Sequence, residues 1–404
     1  MRVRVVLASW MLLCAVGIQA EEPKWLTDAR AREGKIGAAK EFKSKDSWFK
    51  ARVPGKVKGA VEKVENSYSI EIDFGGDSGA YCELVPDGFD MADMMRRTLE
   101  LTMQQVAENQ GKLESRQLEY ADAGAIGNLP YLKARWLYRV NDGKELRLGQ
   151  LKQFVTLKGG HGLYCAHLDI GYVKSFDAVT HSLAQTLETA TGTPAPYYQE
   201  IAVATLGGMK SGIAMMTLEK DADGDTKTEE ITAMMVPAAG GALHTQDAVH
   251  KEWTRPDATM INAAHFIAEN GELNVSLGLK AVEETWVIEG ELQGKEVSFK
   301  LPPDSEPGTW LAQSLGIRKL LAGANPIGGE YALPMWLAAD PAKLTDAKTK
   351  VLAKSGASDF SARATAGAIE AAVILDKNGS VSSANMQVGA QKVSIERVFV
   401  SGSF

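Results

Sequence analysis

The sequence has little cysteine and histidine, and it lacks most of the motifs that carry chemistry. Three of its 404 residues are cysteine and six are histidine. No apolar run of transmembrane length follows the first twenty residues, so we expect no membrane-spanning helix. The sequence also has no phosphate-binding loop, dinucleotide fingerprint or paired histidine–glutamate metal motif. We therefore predict no cofactor and no metal site, and no motif assigns a reaction.

What the sequence does contain begins with an export signal. Arg2 and Arg4 precede an apolar run from Val5 to Ile18, and the small residue Ala20 stands just before an acidic stretch. This order of positive charge, apolar core and small residue is typical of a secretory signal peptide. We therefore predict that residues 1–20 are removed and that the mature protein is periplasmic or secreted.

Charge is unevenly distributed along the chain. The whole sequence has 44 Lys and Arg against 51 Asp and Glu, a net charge of -7. Between Lys24 and Lys63 the balance is reversed, with twelve Lys or Arg against five Asp or Glu. This basic segment either binds an anionic surface, such as a membrane or an acidic polymer, or forms a solvated helix and loop with interleaved charges. Because the rest of the mature chain is acidic, we expect no nucleic acid partner.

One short pattern occurs twice with identical spacing. Gly79-Ala80-Tyr81-Cys82 is followed, five residues on, by Gly88-Phe89, and Gly162-Leu163-Tyr164-Cys165 is followed at the same distance by Gly171-Tyr172. In both copies a turn glycine, an aromatic residue and a cysteine precede a helical pattern. This spacing indicates one structural unit that is used twice.

The two cysteines of this repeat are the only ones that follow the signal segment. Cysteines in exported proteins usually pair. If the two copies pack about a pseudo-twofold axis, Cys82 and Cys165 are neighbours and form a disulfide, whereas parallel stacking of the copies separates the thiols. We predict the disulfide between Cys82 and Cys165.

The periodicity of apolar residues divides the chain into two halves. In the first half, strand patterns alternate with two helical patterns, for which Asp90 and Ser175 are the predicted N-caps. Gly192, Pro194 and Pro196 mark the boundary. Short alternating segments follow. We predict an α+β fold: an α+β domain over residues 21–190 made of two related strand-turn-strand-helix units, and an antiparallel β-rich domain over residues 197–404, a half-barrel or sandwich with one covering helix.

The second half resembles a known class of exported proteins. The residues that carry the resemblance are the covering helix at Pro307–Leu321, a returning strand at Glu330–Pro334 and a last hairpin at Ile374–Gly379. Together with the long strands, they resemble periplasmic half-barrel proteins, which include lipoprotein carriers, and several uncharacterised exported β families. The resemblance implies a curved sheet whose apolar concave face holds acyl chains. It carries no site residue over to this chain, and the first half resembles no family.

One segment matches a catalytic motif. Gly76-Asp77-Ser78-Gly79 is similar to the segment around the nucleophile of trypsin-like proteases, and His265 is the candidate imidazole. Those proteases place the histidine before the serine, whereas His265 follows Ser78. Moreover, the second copy has Gly160-His161-Gly162 at the equivalent turn, with His161 in the place of Ser78. Turn geometry alone therefore explains the glycines. Hydrolysis by Ser78 is therefore our third hypothesis.

Two sets of candidate metal ligands fail on spacing. The aspartates of Asp221–Asp225 alternate like the start of a calcium loop, but the later glycine and glutamate of that loop are missing. A hairpin tip explains this segment. The His161–His167 segment has no recognised zinc spacing.

These observations favour a non-catalytic protein. Our first hypothesis is an exported protein that binds an apolar or lipid ligand or another component of the cell envelope. The alternative is a structural or adaptor protein of the envelope, with the basic segment or the first domain as its docking surface.

Overall fold

The chain is mostly β-structure throughout. The computed structural model describes residues 23–75, 78–86, 90–190, 195–338, 340–389 and 391–404, and 57% of these lie in strands and 15% in helices. The α+β assignment is therefore wrong, because large antiparallel sheets occupy the first half as well as the second. The predicted signal segment and the centre of the predicted domain boundary lie outside the described residues.

Eleven strands and three helices belong to the first half of the described chain. The strands are β1 (Lys40–Lys43), β2 (Phe49–Val53), β3 (Lys56–Lys58), β4 (Lys63–Val64), β5 (Ser67–Asp73), β6 (Gly79–Val85), β7 (Lys112–Ile126), β8 (Leu129–Asn141), β9 (Leu146–Lys158), β10 (His161–His167) and β11 (Glu188–Thr189). The helices are α1 (Lys24–Arg30), α2 (Met91–Gln110) and α3 (Val173–Thr186). None of the helices described along the chain is long and apolar enough to cross a membrane.

The first half contains one large and one small antiparallel sheet. The large sheet has the order β3-β5-β6-β10-β9-β8-β7, with β4 also paired to β5, and the small sheet has the order β1-β2-β11. Helix α3 and the small sheet pack on one face of the large sheet around Phe49, Ile70 and Phe176. Helix α2 packs on the other face, where Met95 and Trp136 are buried.

The strand β7 shows why the sequence was misread. It runs for 15 residues along the edge of the large sheet, but its register with β8 shifts at two bulges. A bulge reverses the alternation of inward and outward side chains, so no regular period of two survives in the sequence. The segment therefore gave no strand signal, and the amount of strand in this half was underestimated.

Fourteen strands and one α-helix belong to the second half of the described chain. The strands are β12 (Tyr198–Leu206), β13 (Met209–Lys220), β14 (Thr226–Pro237), β15 (Leu243–Thr254), β16 (Met260–Glu269), β17 (Glu272–Val282), β18 (Thr285–Leu292), β19 (Lys295–Lys300), β20 (Glu330–Trp336), β21 (Leu344–Ser355), β22 (Asp359–Ala366), β23 (Ile369–Leu375), β24 (Val381–Val388) and β25 (Gln391–Gly402). The helix is α4 (Trp310–Leu321).

These fourteen strands form one continuous antiparallel sheet rather than the two sheets of a sandwich. Its order is β19-β18-β17-β16-β15-β14-β13-β12-β25-β24-β23-β22-β21-β20. The sheet is curled. Its two ends come together, since Trp336 at the end of β20 packs against Leu277 and Ile288 near the opposite edge. Helix α4 packs inside the curl, with Ile317 and Leu321 against β21–β24. We call the face that contacts α4 the inner face.

The two halves pack against each other through the outer face of the second sheet. Val203, Ile213 and Met235 on β12–β14 belong to the same apolar cluster as α2 and the large sheet. Both sheets therefore share a core at this contact. Whether residues 21–190 and 197–404 fold as separate domains remains a prediction.

The two predicted helix caps have different outcomes. Ser175 is not the N-cap of α3, since Tyr172 holds that position. Asp90 is the N-cap residue of α2, as predicted, but its side chain makes no capping hydrogen bond. Instead, the Asp247 carboxylate on β15 accepts hydrogen bonds from the backbone N–H groups of Ala92 and Asp93, at 2.9 Å each. Helix α3 is capped by the Glu33 carboxylate, which accepts from the backbone of Ser175 at 2.9 Å. A carboxylate at a helix N-terminus is stabilising whichever part of the chain supplies it.

Candidate functional site

A cavity lies within the basic segment of the first half. Its volume is about 470 Å³, which falls in the range of small-ligand pockets. Residues from β1, from the turn after it and from the segment 53–61 line the cavity. Its charged lining residues are Lys40, Glu41, Lys43, Lys45 and Lys56. We call it the lysine cavity.

The cavity forms because β1 and β3 are edge strands of two different sheets. They approach each other at one end, where β1 pairs with β2 and Lys40 lies opposite Val53, three residues before β3. At the other end, the backbone N–H of Lys45 donates to the carbonyl oxygen of Val61 at 2.9 Å. The chain therefore encloses a ring between the two strands, and the cavity lies over this ring.

The turn at one end of the cavity is fixed by Asp46. Its carboxylate accepts hydrogen bonds from the hydroxyls of Ser44 and Tyr68, both at 2.6 Å, and from the backbone N–H of Trp48 at 3.0 Å. The hydrogen bond from Ser44, followed by those from Tyr68 and Trp48, lowers the pKa of Asp46 to about 2. The carboxylate is therefore charged in neutral solution and holds the turn in place.

The electrostatic balance of the cavity is positive. Among the described residues, no ion pair joins Lys40, Lys43 or Lys56 to a carboxylate, whereas Lys45 pairs with Glu62. Beneath the lysines, Val53 and Val61 are buried and form an apolar floor. The four lysines are exposed to solvent, so they attract anions as a cluster of like charges at the rim of the cavity.

The predicted disulfide is present in the large sheet. Cys82 on β6 and Cys165 on β10 are register partners in antiparallel strands, with an S–S distance of 2.05 Å and a Cα–Cα distance of 4.0 Å. Antiparallel pairing relates the two strands by a local twofold axis. Whether the whole repeat units obey the same symmetry remains a prediction, since Gly88 and Phe89 of the first unit lie outside the described residues.

Ser78 lies beside a histidine, but not the one that was predicted. Its Oγ atom is 2.8 Å from Nε2 of His167, and Nδ1 of His167 is 3.2 Å from Nζ of Lys152. All three side chains are buried. His265 lies on β16 in the other large sheet and does not approach Ser78. We call Ser78, His167 and Lys152 the Ser78 cluster.

The Ser78 cluster has the opposite hydrogen-bond polarity to a catalytic triad. In a triad, an acidic residue accepts a hydrogen bond from Nδ1–H, which leaves Nε2 free to take the proton of the serine. When Lys152 is protonated it has only donors, so Nδ1 of His167 must accept and Nε2–H donates to Ser78. Burial lowers the pKa of Lys152 to about 7, and burial followed by the charge of Lys152 lowers that of His167 to about 3. This arrangement does not activate Ser78 as a nucleophile.

The pairing of β6 with β10 could have predicted that His167 lies near Ser78. Cys82 pairs with Cys165 and Tyr81 pairs with Ala166. Continuing this antiparallel register by one residue places His167 opposite Ala80, two positions from Ser78. The predicted disulfide, combined with antiparallel pairing, was therefore sufficient to bring the two side chains together. No sequence signal indicates Lys152, which joins them from β9.

The other candidate ligands have structural roles. The Asp221 carboxylate accepts hydrogen bonds from the backbone N–H groups of Asp223 and Asp225, both at 3.0 Å, within the turn between β13 and β14. His161 packs edge-on against Trp48, with 5.1 Å between ring centroids. Among the described residues, no group of three or more His, Cys, Asp or Glu is arranged to hold a metal ion.

Comparison with known proteins gives a distant likeness. No protein-family model and no curated protein matches the chain. A β-barrel-like protein with the domain of unknown function DUF1849, from Brucella abortus, matches over 52% of this chain and 99% of its own, with 11% identity and a TM-score of 0.40. A DUF1089 family protein from Pseudomonas aeruginosa matches over 42% and 87%, with 13% identity and a TM-score of 0.25. We transfer no function from either protein.

Proposed function

We propose that this is an exported, non-catalytic protein that binds an anionic component of the cell envelope in the lysine cavity. The observation that carries the proposal is the cavity of about 470 Å³ lined by Lys40, Lys43, Lys45 and Lys56. The apparent signal segment and the disulfide support export, since disulfides persist in oxidising compartments. The ligand chemistry is a phosphate or carboxylate group.

The cavity suits such a group for two reasons. Three of its lysines have no ion-pair partner among the described residues, so a bound anion does not have to displace an existing carboxylate. The segment over the floor includes Gly55 and Gly59, whose φ angles of +122° and +69° place them in a region that favours glycine. Gly59 has open space where a side chain would stand, so a ligand can approach its backbone closely, whereas Gly55 packs against the backbone of Asp73.

Helix α4 makes an anionic ligand in the lysine cavity a better hypothesis than an apolar ligand on the inner face. Helix α4 covers the inner face along β21–β24 with the protein's own side chains, including those of Ile317 and Leu321. An acyl chain that fills the whole concave face would have to displace this helix. We therefore place the primary ligand site in the first half.

The proposal is tested by neutralising the cavity. The variant Lys40→Gln/Lys43→Gln/Lys56→Gln removes its three unpaired charges, and Lys295→Gln/Lys300→Gln/Lys354→Gln is the matched control, since it changes the net charge equally at exposed sites. Binding is measured to vesicles of phosphatidylglycerol, to vesicles of phosphatidylcholine and to soluble polygalacturonate.

We expect binding to at least one of the two anionic probes, a loss of about tenfold or more in the cavity variant, and a change of less than about twofold in the control. Preference between vesicle and polymer distinguishes a lipid headgroup from an acidic polysaccharide. Equal losses in both variants, or no binding to either anionic probe, contradict the proposal.

A structural or adaptor role remains the alternative. It is favoured by one observation: β1 and β3, which border the cavity, are edge strands of different sheets. An exposed edge can pair with a strand from a partner protein. Cross-linking in intact cells tests this role, and recovery of one partner with the wild type but not with the cavity variant would favour it.

A further inference from the structure

Helix α4 is held on the second sheet at its first residue. The backbone N–H of Trp310 donates to one carboxylate oxygen of Glu252, a buried residue on β15, at 2.8 Å. Thr309 adds an uncharged contact, since its hydroxyl donates to the carbonyl oxygen of Ala258 at 2.9 Å. A carboxylate at this place is stabilising because the start of a helix has free N–H groups and a partial positive charge. Glu252 therefore helps to hold this end of α4 on the inner face by its charge.

Hydrogen bonds link Glu252 to two histidines. Its other oxygen lies 3.0 Å from Nε2 of His250, and Nδ1 of His250 lies 3.2 Å from Nδ1 of His265 on β16. The two histidines are register partners in neighbouring antiparallel strands, so their side chains lie side by side on the same face of the sheet. A chain of hydrogen bonds therefore runs from His265 through His250 and Glu252 to the first N–H group of α4.

The contact between the two Nδ1 atoms accommodates one proton. When both rings are neutral, Nε2–H of His250 donates to Glu252 and Nδ1 of His250 accepts from His265. When His250 alone is protonated, it donates to Glu252 and to His265. When both rings are protonated, each Nδ1 atom carries a hydrogen, so the hydrogen bond between them is lost and two positive charges face each other. The chain of hydrogen bonds therefore survives one added proton but not two.

The carboxylates beside the pair favour the first added proton. Glu230 on β14 is the second register partner of His250. Burial opposes protonation of His250, but the hydrogen bond to Glu252 and the charges of Glu252 and Glu230 raise its pKa above the ordinary value. Burial, followed by the charge of His250, lowers the pKa of His265 to about 4. The first proton is therefore bound on His250, and the second one is resisted.

The other elements that pack on the pair present apolar side chains to it. Leu277 on β17 is the register partner of His265. The rings of His250 and Trp336, at the end of β20, have centroids 6.4 Å apart. Helix α4 carries its basic residues in the last turn, far from the pair, and these are Arg318 and Lys319. The two carboxylates therefore set the charge balance around the histidines.

The two histidines give the seating of α4 opposite responses to pH. Released from each other, both side chains titrate near pH 6.5. Because the pKa of His265 is about 4 in the folded protein, the released state binds more protons between pH 4 and pH 6.5, and acid favours release over this range. The raised pKa of His250 has the opposite sign, since its proton favours the seated helix. Helix α4 is therefore held most firmly when His250 is protonated and His265 is neutral.

We propose that His250 and His265 form an acid-sensitive latch, which holds α4 on the inner face until both rings are protonated and then releases it. The second charge pushes His250 away from its place between His265 and Glu252, so the contact of Glu252 with the helix is disturbed. Release uncovers the apolar side chains on which Ile317 and Leu321 pack. The latch thus makes the inner face accessible to an apolar ligand in acid, and it does not depend on the lysine cavity.

The test measures hydrogen exchange of α4 in the full protein at about pH 7.5, 6 and 4.5, with rates corrected for the intrinsic pH dependence of amide exchange. His265→Gln keeps a side chain that can donate to or accept from Nδ1 of His250, but it cannot become charged. His244→Gln, at an exposed position of β15, is the matched control for the loss of a histidine. Strands β8 and β9 of the large sheet are the internal reference for opening of the whole molecule.

We expect the corrected exchange of α4 in the wild type to accelerate about tenfold or more between pH 6 and pH 4.5, while β8 and β9 stay protected. His244→Gln should behave as wild type, whereas His265→Gln should change by about twofold or less. Fluorescence of the neutral dye Nile red, which binds apolar surface, should rise over the same range in the wild type and not in His265→Gln. The proposal fails if α4 accelerates equally in His265→Gln and wild type, or if α4 and the reference strands open together. Circular dichroism identifies a misfolded His265→Gln, and His265→Asn then replaces it.

Discussion

The carboxylate of Asp247 lies 2.9 Å from the backbone nitrogen of Asp93, so a strand of the second sheet caps a helix of the first half. The two residues are 154 positions apart. The contact joins the halves at a polar point beside their shared apolar core. Disturbing it should therefore affect the stability of the whole molecule, and we derive the first prediction from it.

Asp247 should make the stability depend on pH. Burial and the nearby charges of Asp90 and Asp93 raise its pKa to about 7, although the hydrogen bonds from the helix backbone act in the opposite direction. In the unfolded chain the group titrates near pH 3.9. The native state therefore binds more protons between these values, so the contribution of Asp247 is full below about pH 4 and is lost as pH rises through 7.

The variant Asp247→Asn tests this dependence, because Asn keeps one capping oxygen and does not titrate. We expect its stability relative to wild type to improve by about 2 kcal/mol between pH 4 and pH 8, measured by urea unfolding. Asp304→Asn, at an exposed turn, should follow the wild type at every pH. A constant difference between Asp247→Asn and wild type would contradict the prediction.

Asp247 also shows where reasoning from sequence stops. The local pattern places Asp90 just before the helix, and N-caps are usually local. A carboxylate from β15 competes for the same N–H groups, and no local rule can identify it. The disulfide was predictable because two cysteines leave one pairing. The excess of lysine was also predictable, but the lysine cavity was not, since it depends on the contact between Lys45 and Val61.

The bond between Cys82 and Cys165 should stabilise the first half. It closes a loop of 83 positions, and the chain-entropy model gives about 4 kcal/mol for a loop of this length. The variant Cys82→Ala/Cys165→Ala should lose about 2–4 kcal/mol in urea unfolding. Reduction of the wild type should produce a similar loss, whereas the double variant should not respond to reductant. Two free thiols in the unreduced, unfolded wild type would show that the bond does not form.

Ser78 should not react as a catalytic serine. Nε2–H of His167 donates to its hydroxyl when Lys152 is protonated, so no base removes the serine proton. A fluorophosphonate probe should label the wild type and Ser78→Ala to the same low extent. The hydroxyl is buried, and its loss should instead lower the unfolding free energy by about 1 kcal/mol. Labelling of the wild type that Ser78→Ala abolishes would make hydrolysis the leading hypothesis instead of the third.

Lys152 should give the stability a second pH dependence, at higher pH than that of Asp247. Burial lowers its pKa to about 7 in the native state, whereas an unfolded lysine titrates near 10.4. Between these values the unfolded chain binds more protons, so the contribution of Lys152 to stability rises with pH from 7 to 10. Lys152→Met should remove this rise, although it also leaves His167 and the Asp169 carbonyl without a donor.

The measurement therefore compares how steeply the free energy of unfolding in urea changes between pH 7 and pH 10, with Lys144→Met as the exposed control. Parallel curves for Lys152→Met and wild type would show that Lys152 keeps its proton in the folded protein, and the polarity of the Ser78 cluster would then be the same at every pH in this range.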